Sequence, residues 1–489
     1  MQRRDFLKGT GFLAAQILAG QVISSVAMSR RASADTGLPL ESLFSALNAD
    51  QALLLIPSHK QFASYQVAFN KRTMLTPQVR ALCKTPEAVA VALQWAKTNK
   101  ISFAIRSGGH SYEGFSQSKE LVIDVRLLNA VQINKSAGLA SVGAGLSLGQ
   151  VYKALSKYDL AIPAGSGPPV GVSGHTLGGG FGMLARAYGL ACDNLESLEL
   201  VDARGRVLNL SASENADLFW ACRGGGNGNL GVVTKLNFKT HEVEKVSTFG
   251  ASWTLSPDKT KQVVKAWQEW APKAPDAITS IFRLTKAKGG LITIRAAGQS
   301  TESEESLLAE VKRAFKALPP SSIQSSTFSF IDAVDHFSGG WAYESLYMKA
   351  KSDYLFEAMS DKGITTLIDG LTKNQSVIAA MFDSYGGAVN RVDTDATAFA
   401  HRAGTHYSIQ YYMEWQNAVD TPRKLQNMRD LYAAMRPYVS GASYVNYCDR
   451  DLENYADAYW GANLPRLKQV KRAYDPENFF SNGQGIPLA

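Results

Sequence analysis

The stretch Arg106-Ser107-Gly108-Gly109-His110-Ser111-Tyr112 sets an imidazole directly after a Gly-Gly step, in a chain with only seven histidines. Consecutive glycines carry no Cβ, so the backbone there can lie against whatever the histidine serves. Two more glycine clusters follow. One is Pro163-Ala-Gly165-Ser-Gly167-Pro-Pro-Val170-Gly171-Val-Ser-Gly174-His175-Thr-Leu-Gly178-Gly179-Gly180-Phe-Gly182 and the other is Arg223-Gly-Gly-Gly-Asn-Gly-Asn229-Leu-Gly231-Val232. Successive bare N–H groups make concave donor arrays that suit a pyrophosphate. A single cluster of this kind reads as a tight turn; three between residues 106 and 231 point to one shared dinucleotide. No GxxxxGK[ST] occurs, which removes a P-loop. Gly143-x-Gly145-x-x-x-Gly149 has the wrong spacing for a Rossmann fingerprint and lacks its βαβ setting.

The elements that must position these clusters alternate between short β-rich runs and helical spacing from about 70 to 245. Helical periodicity covers Ala88 to Thr98 and Leu148 to Tyr158, and strands are expected at 101–106, 121–125, 140–143 and 231–238. Leu198–Asp202 and Arg206–Leu210, separated by Ala-Arg-Gly, read as a hairpin. From 246 to 440 the pattern becomes strand–helix–strand–strand–helix, with helices at Pro257–Trp270 and Glu302–Leu318, then strands at 376–383 and 405–415 and a helix at 421–438. That order predicts an antiparallel sheet with helices on one face. The remainder, 441–489, is rich in Tyr, Asn and Gly and reads as a return to the first domain.

Composition bounds the function classes. A chain of 489 residues, 45% hydrophobic and 19% charged, is an ordinary globular protein of at least two domains. Half of the net charge of +8 sits in residues 1–34, where Arg3, Arg4, Lys8, Arg30 and Arg31 face only Asp5. The rest carries no basic stripe, which argues against nucleic acid as partner. Residues 1–34 combine paired arginines, a mildly apolar stretch and Ala32-Ser-Ala34. This predicts a twin-arginine export signal cleaved after Ala34, a periplasmic or secreted protein and no membrane span after cleavage. Cys83, Cys192, Cys222 and Cys448 form no CxxC pair, so no metal site is expected and buried free thiols are.

The chain resembles the FAD-binding domain of the vanillyl-alcohol-oxidase (PCMH-type) flavoproteins, specifically berberine-bridge-enzyme-like oxidases. The resembling elements are Arg106–Tyr112, Gly171–Gly180, Tyr188-Gly-Leu-Ala-Cys-Asp-Asn194, Asp217–Gly226 with Gly231–Thr234, Tyr444–Asp449, and Tyr474–Phe480 with Gln484-Gly-Ile-Pro487. The resemblance implies an α+β fold: a two-part FAD domain (35–245), a substrate domain with helices covering an antiparallel sheet (246–440), and the C-terminal return (441–489). It implies FAD bound covalently through His110 to the 8α carbon. The cofactor is expected against Arg106, Ser107, Gly108, Gly109, Ser111, Tyr112, Gly165, Gly167, Val170, Gly174, His175, Gly178, Gly179, Gly180, Gly182, Asn229, Gly231, Val232, Asn446 and Tyr447. Many relatives carry a second tether, a cysteine at the position of Gly167, so a single histidyl link is expected here. Val170 stands where the family's oxygen-access residue sits, and a small residue there implies O2 as acceptor. His175 is placed by the ribityl chain or pyrophosphate, either holding the charge that develops at N1–C2=O or making a structural hydrogen bond.

Hydride transfer from a hydroxylated carbon needs a proton acceptor, and the sequence offers tyrosines in place of a Ser-His-Asp set. Read as a strand, Tyr444-Val-Asn446-Tyr447 turns its two phenols to opposite sides, so one alone faces the flavin. Family position selects Tyr447 as base, with Tyr444 structural. A phenol needs its pKa lowered by about 3 units to act at neutral pH, so a neighbouring donor or cation is expected, unless the tyrosine only relays. Along 405–415, alternation sets Tyr407, Ile409, Tyr411, Met413 and Trp415 under the helices and Ser408, Gln410 and Tyr412 towards the cavity. Some relatives carry an acid where Ser408 stands, which leans more weight on Tyr447. Asp383 and Tyr385 are further partners, though Tyr385-Gly-Gly387 also reads as a plain turn. The expected activity is oxidation of a carbohydrate or other alcohol with O2 reduced to H2O2. Oxidative cyclisation or desaturation of a secondary metabolite, and a flavin carrier without turnover, stay open as alternatives; oligomeric state does too.

Overall fold

The computed structural model describes residues 37–226, 228–338 and 345–489. The expected export signal lies outside them. Three layers of sheet organise the chain. The first contains β1 (Ala52–Leu55), β2 (Val79–Cys83), β3 (Phe103–Arg106) and β4 (Leu121–Asp124) in the order β1-β2-β4-β3. Here β2 and β3 both run parallel to β4. A parallel arrangement needs crossovers, and the helix Pro86–Asn99 supplies one. Thr85 caps it by accepting the Ala88 amide, Pro86 opens it, and Lys100 ends it in the left-handed conformation at φ +55°.

The second sheet is antiparallel, order β5-β6-β10-β8-β9, from β5 (Val131–Asn134), β6 (Leu139–Gly143), β8 (Leu195–Val201), β9 (Val207–Ser211) and β10 (Val232–Lys239). The expected hairpin is β8–β9, paired from Ser197↔Ser211 to Val201↔Val207. β7 (Leu160–Ala161) and β11 (His241–Glu242) form a short separate ladder. The helix expected over 148–158 stops at Leu155 and tightens into a 3-10 turn over Ser156–Tyr158. Ser147 and Gln150 cap its start reciprocally.

The third sheet has seven antiparallel strands: β12 (Lys245–Leu255), β13 (Ile278–Lys286), β14 (Ile292–Ser300), β15 (Ser322–Ser329), β16 (Tyr347–Leu355), β17 (Ala379–Ser384) and β18 (Tyr407–Trp415), in the order β15-β12-β14-β13-β17-β18-β16. Sequence periodicity passed over β15 and β16. β15 is mostly serine and threonine, and β16 carries two lysines, so neither shows an apolar alternation. One face of the sheet lies under the helices Pro257–Trp270, Glu304–Ala314, Asp361–Lys373 and Thr421–Met435. Trp267, Phe282, Phe382, Tyr407 and Ile409 pack together there at 2% exposure or less. Each large side chain so buried contributes roughly 1.5–3 kcal/mol. The fold is thus α+β, with the helix-free face of β13, β17 and β18 turned to the glycine clusters. All four cysteines are buried free thiols.

The 441–489 segment packs back on the first two sheets. Lys471, fully buried, donates to the carbonyls of Asn229 and Phe480 and to Asp475 at 2.7–2.8 Å. One ammonium thereby ties the third glycine cluster to the C-terminus.

Candidate active site

A cavity of about 430 Å³ lies where the glycine clusters meet the helix-free face of the third sheet. This falls in the range of small-molecule and cofactor sites. Its walls combine bare peptide from 107–111, 165–167 and 171–174 with the side chains of Val170, Ile281, Met381, Asp383, Gln410, Tyr444 and Tyr447.

The glycines are there because loops touch backbone to backbone. A Cβ on Gly108 would come 2.2 Å from the Gly171 nitrogen, and one on Gly182 would sit 1.7 Å from the Ala164 oxygen. Two hydroxyls, Ser107 Oγ and Ser173 Oγ, donate to the Ala144 carbonyl at 2.8 and 2.9 Å and fix both loops to the end of β6. Gly165 is held at both ends: its N–H donates to His175 Nε2 at 2.8 Å, and its carbonyl accepts from Tyr152 at 2.7 Å. Burial holds the His175 imidazole down at about 4, so the ring stays neutral and acts as acceptor.

His110 lines the same cavity and stacks on Phe69, centroids 4.5 Å apart. Burial, reinforced by the Arg106 guanidinium, lowers its pKa to about 4. A neutral imidazole keeps a nitrogen lone pair, as bond formation to an electrophilic carbon requires. A Cβ on Gly167 would press on Val170 Cγ2 at 3.1 Å, so Val170 packs over the place a side chain there would take. Bare peptide edges, apolar side chains and phenols in one cavity fit FAD. The residues holding it would be those of 107–112, 165–167 and 171–175.

Tyr447 lies parallel to Tyr112 at 5.8 Å and edge-on to Tyr444 at 4.9 Å. Residues 445–447 form a 3-10 turn, not a strand, and positions three apart then lie on one side. Both phenols therefore line the cavity, which corrects the expectation that only one faces it. Tyr444 accepts the Gly180 and Phe181 amides at 2.9 and 3.3 Å. Tyr447 lies beside Asp383 in the cavity wall, and Ser408 Oγ donates to that carboxylate at 3.4 Å. Burial raises Asp383 to about 6, with the Ser408 and Tyr447 hydroxyls pulling the other way. The expected donor or cation beside Tyr447 is not what faces it: burial, then the Asp383 charge, push the phenol well above its usual value. Gln410 Nε2 donates to Tyr112 at 3.1 Å.

The FAD binding domain family matches residues 77–211, and the berberine and berberine-like family matches residues 443–487. The Arabidopsis thaliana protein named Monolignol oxidoreductase AtBBE-like 13 is 31% identical over 494 residues, covering 93% of this chain and 91% of that one. The chain belongs to the berberine-bridge-enzyme-like FAD-linked oxidoreductases. The Bacillus subtilis FAD-linked oxidoreductase YgaK is 35% identical over 417 residues, 84% of this chain and 91% of its own. The structure of Physcomitrella patens BBE-like 1 superposes with a TM-score of 0.84 at 30% identity, covering 91% of this chain and 99% of that one.

In this berberine-bridge-enzyme-like chain several expected contact residues stand behind the cavity wall. Arg106 is buried under the Gly109 turn and donates to the Val67 carbonyl. Gly178 packs on Asn446, Gly179 on Phe399 and Gly180 on Ala191, each because a Cβ would collide. Asn229 spends its amide on the Gly225 carbonyl, and Val232 is core beside the lining residues Gly231 and Val233. Asn446 lines the cavity and donates to the His175 carbonyl at 2.9 Å. Ser408 sits behind Asp383. Tyr385 is buried off the cavity, stacked on Phe181 and hydrogen-bonded to Tyr354 at 3.0 Å. The two glycines after it take φ of +105° and +57°, which accounts for the turn. Sequence reasoning missed Phe69, Ile281, Met381 and Cys448 in or against the wall. Alternation along β13 and β17 was the signal for Ile281 and Met381; Phe69 gave none.

Proposed function

We propose that the chain is an oxidase for hydroxylated small molecules, with FAD tethered once, through His110, and Tyr447 and Asp383 taking the hydroxyl proton. The observation that carries this is the placing of Tyr447 beside the buried Asp383 carboxylate in the cavity that His110 lines. Bound FAD would supply the two-electron acceptor for the substrate C–H and pass the electrons to O2, giving H2O2. Tyr447 receives the substrate hydroxyl proton at its oxygen while giving its own to the Asp383 carboxylate, so no free phenolate is required. Tyr112, fixed by Gln410, holds the substrate against Tyr447. Val170 beside the side-chain-free Gly167 supports O2 access and a single link. The reading extends to the domain limits 35–245, 246–440 and 441–489 and to export by the twin-arginine signal in residues 1–34. Among the described residues no helix is long and apolar enough to cross a membrane.

The deciding measurement is anaerobic reduction of the flavin by a panel of sugars and alcohols, with the flavin-bearing peptide mapped by mass spectrometry. Bleaching by a hydroxylated compound and a flavin peptide containing His110 are the expected results. In the His110→Ala protein, acid precipitation should release all the flavin into the supernatant. Wild-type protein that does the same has no covalent link.

A further inference from the structure

The cavity opens onto the helix-free face of the seven-stranded sheet. On β13, Phe282 and Leu284 belong to the core under the helices, so Ile281 and Arg283 point the other way. On β14 the same alternation turns Arg295 to that side. The register sets Arg283 directly opposite Arg295 on one side and Met381 on the other, and Met381 opposite Gln410. One row across the sheet therefore reads Arg295–Arg283–Met381–Gln410, and its last two members line the cavity. The adjacent row carries Asp383, opposite Ile281.

Both arginines are exposed, and among the described residues neither forms an ion pair or a hydrogen bond. Glu414, a carboxylate on the same side of β18, is engaged by the Tyr412 hydroxyl at 2.5 Å. Like charges directly opposed on neighbouring strands are destabilising, so the pair has no structural reason to stand there. Around it the floor is small and polar: Ser252 lies opposite Arg295, and Thr293 opposite Thr285. Two adjacent guanidiniums over such a floor match the forked geometry of a carboxylate. Arg283 is diagonal to Asp383 in the register, a separation of about 7–8 Å. Arg283 and Asp383 therefore project from neighbouring positions of one face, where a single hydroxylated acid can meet both.

We propose that Arg283 and Arg295 bind a substrate carboxylate, so that the preferred substrates are hydroxylated acids of the uronic-acid type. The proposal rests on the oxidase reading above for its chemistry, though not for its binding.

The test uses the flavin-loaded full chain, with calorimetric affinity and anaerobic bleaching measured for matched pairs: D-glucose and D-glucuronate, D-galactose and D-galacturonate. The acid of each pair should bind at least about tenfold tighter at low salt, with the advantage shrinking as ionic strength rises. In the R283Q/R295Q double variant that advantage should disappear, while R283K/R295K retains part of it. Flavin absorbance and melting temperature verify that the variants fold. Equal affinity within each pair, or a preference that survives the double glutamine variant, overturns the proposal. Glucose 6-phosphate binding tighter than glucuronate overturns the carboxylate assignment. Selective acid binding without any bleaching supports the site and sinks the oxidase reading; bleaching by neutral and acidic sugars with equal affinity does the reverse.

Discussion

In the proposed mechanism Asp383 and Tyr447 divide one task. A buried phenol held above its ordinary pKa is a poor base on its own, whereas a carboxylate raised to about 6 is ionised at neutral pH and close in basicity to what proton transfer there asks. The Tyr447→Phe enzyme should lose about 10²-fold or more in kcat with flavin content intact, which stopped-flow reduction would measure. Asp383 accepts a proton only when ionised, so wild-type kcat/KM should fall tenfold per unit as pH drops below about 6. Asp383→Asn should lower activity and abolish that acid limb. Burial holds His175 down at about 4, which leaves this window clear. Asp383 stood in the sequence as one of several partners for a tyrosine. Its weight comes from burial and from Tyr447, which no spacing along the chain revealed.

At the level of elements, β16 brings charge into the interior. Lys349 pairs with Glu113 at 2.6 Å and Asp449 at 2.5 Å, and Lys351 pairs with Asp449 at 2.5 Å. Glu113 follows Tyr112, and Asp449 stands two residues after Tyr447. The cluster thus fixes both phenols to the third sheet. Replacing Lys349 by Met leaves carboxylates buried short of a partner and should cost about 3–5 kcal/mol in denaturant unfolding. Recovery of wild-type stability in Lys349→Met would remove this role. β16 stood unremarked in the sequence, because its two lysines, serine and aspartate break any apolar alternation. By contrast β18 was legible, because the helix-side set Tyr407, Ile409, Tyr411, Met413 and Trp415 repeats at the strand period. The turn at 445–447 was not, since three residues carry no period.

Over the whole molecule the C-terminal segment closes the site that the N-terminal half begins. Lys471, with Asp475, links the glycine loop at 229 to Phe480, and its replacement by Met should unfold the return segment from its seat. We expect a loss of about 3–5 kcal/mol, read by thermal unfolding, together with faster proteolysis after residue 440. Unchanged stability and protease resistance would mean that the return is held elsewhere. The sequence by itself determined the three glycine clusters, the histidine after the first of them, the α+β class and the alternation that selects the inner face of β18. Those are local properties, written in residue type and period. Only the tertiary structure decided which glycines touch a ligand space and which merely let two backbones pass. It also set Tyr447 on Asp383 and Arg283 beside Arg295, because register and domain packing join residues that no local pattern relates.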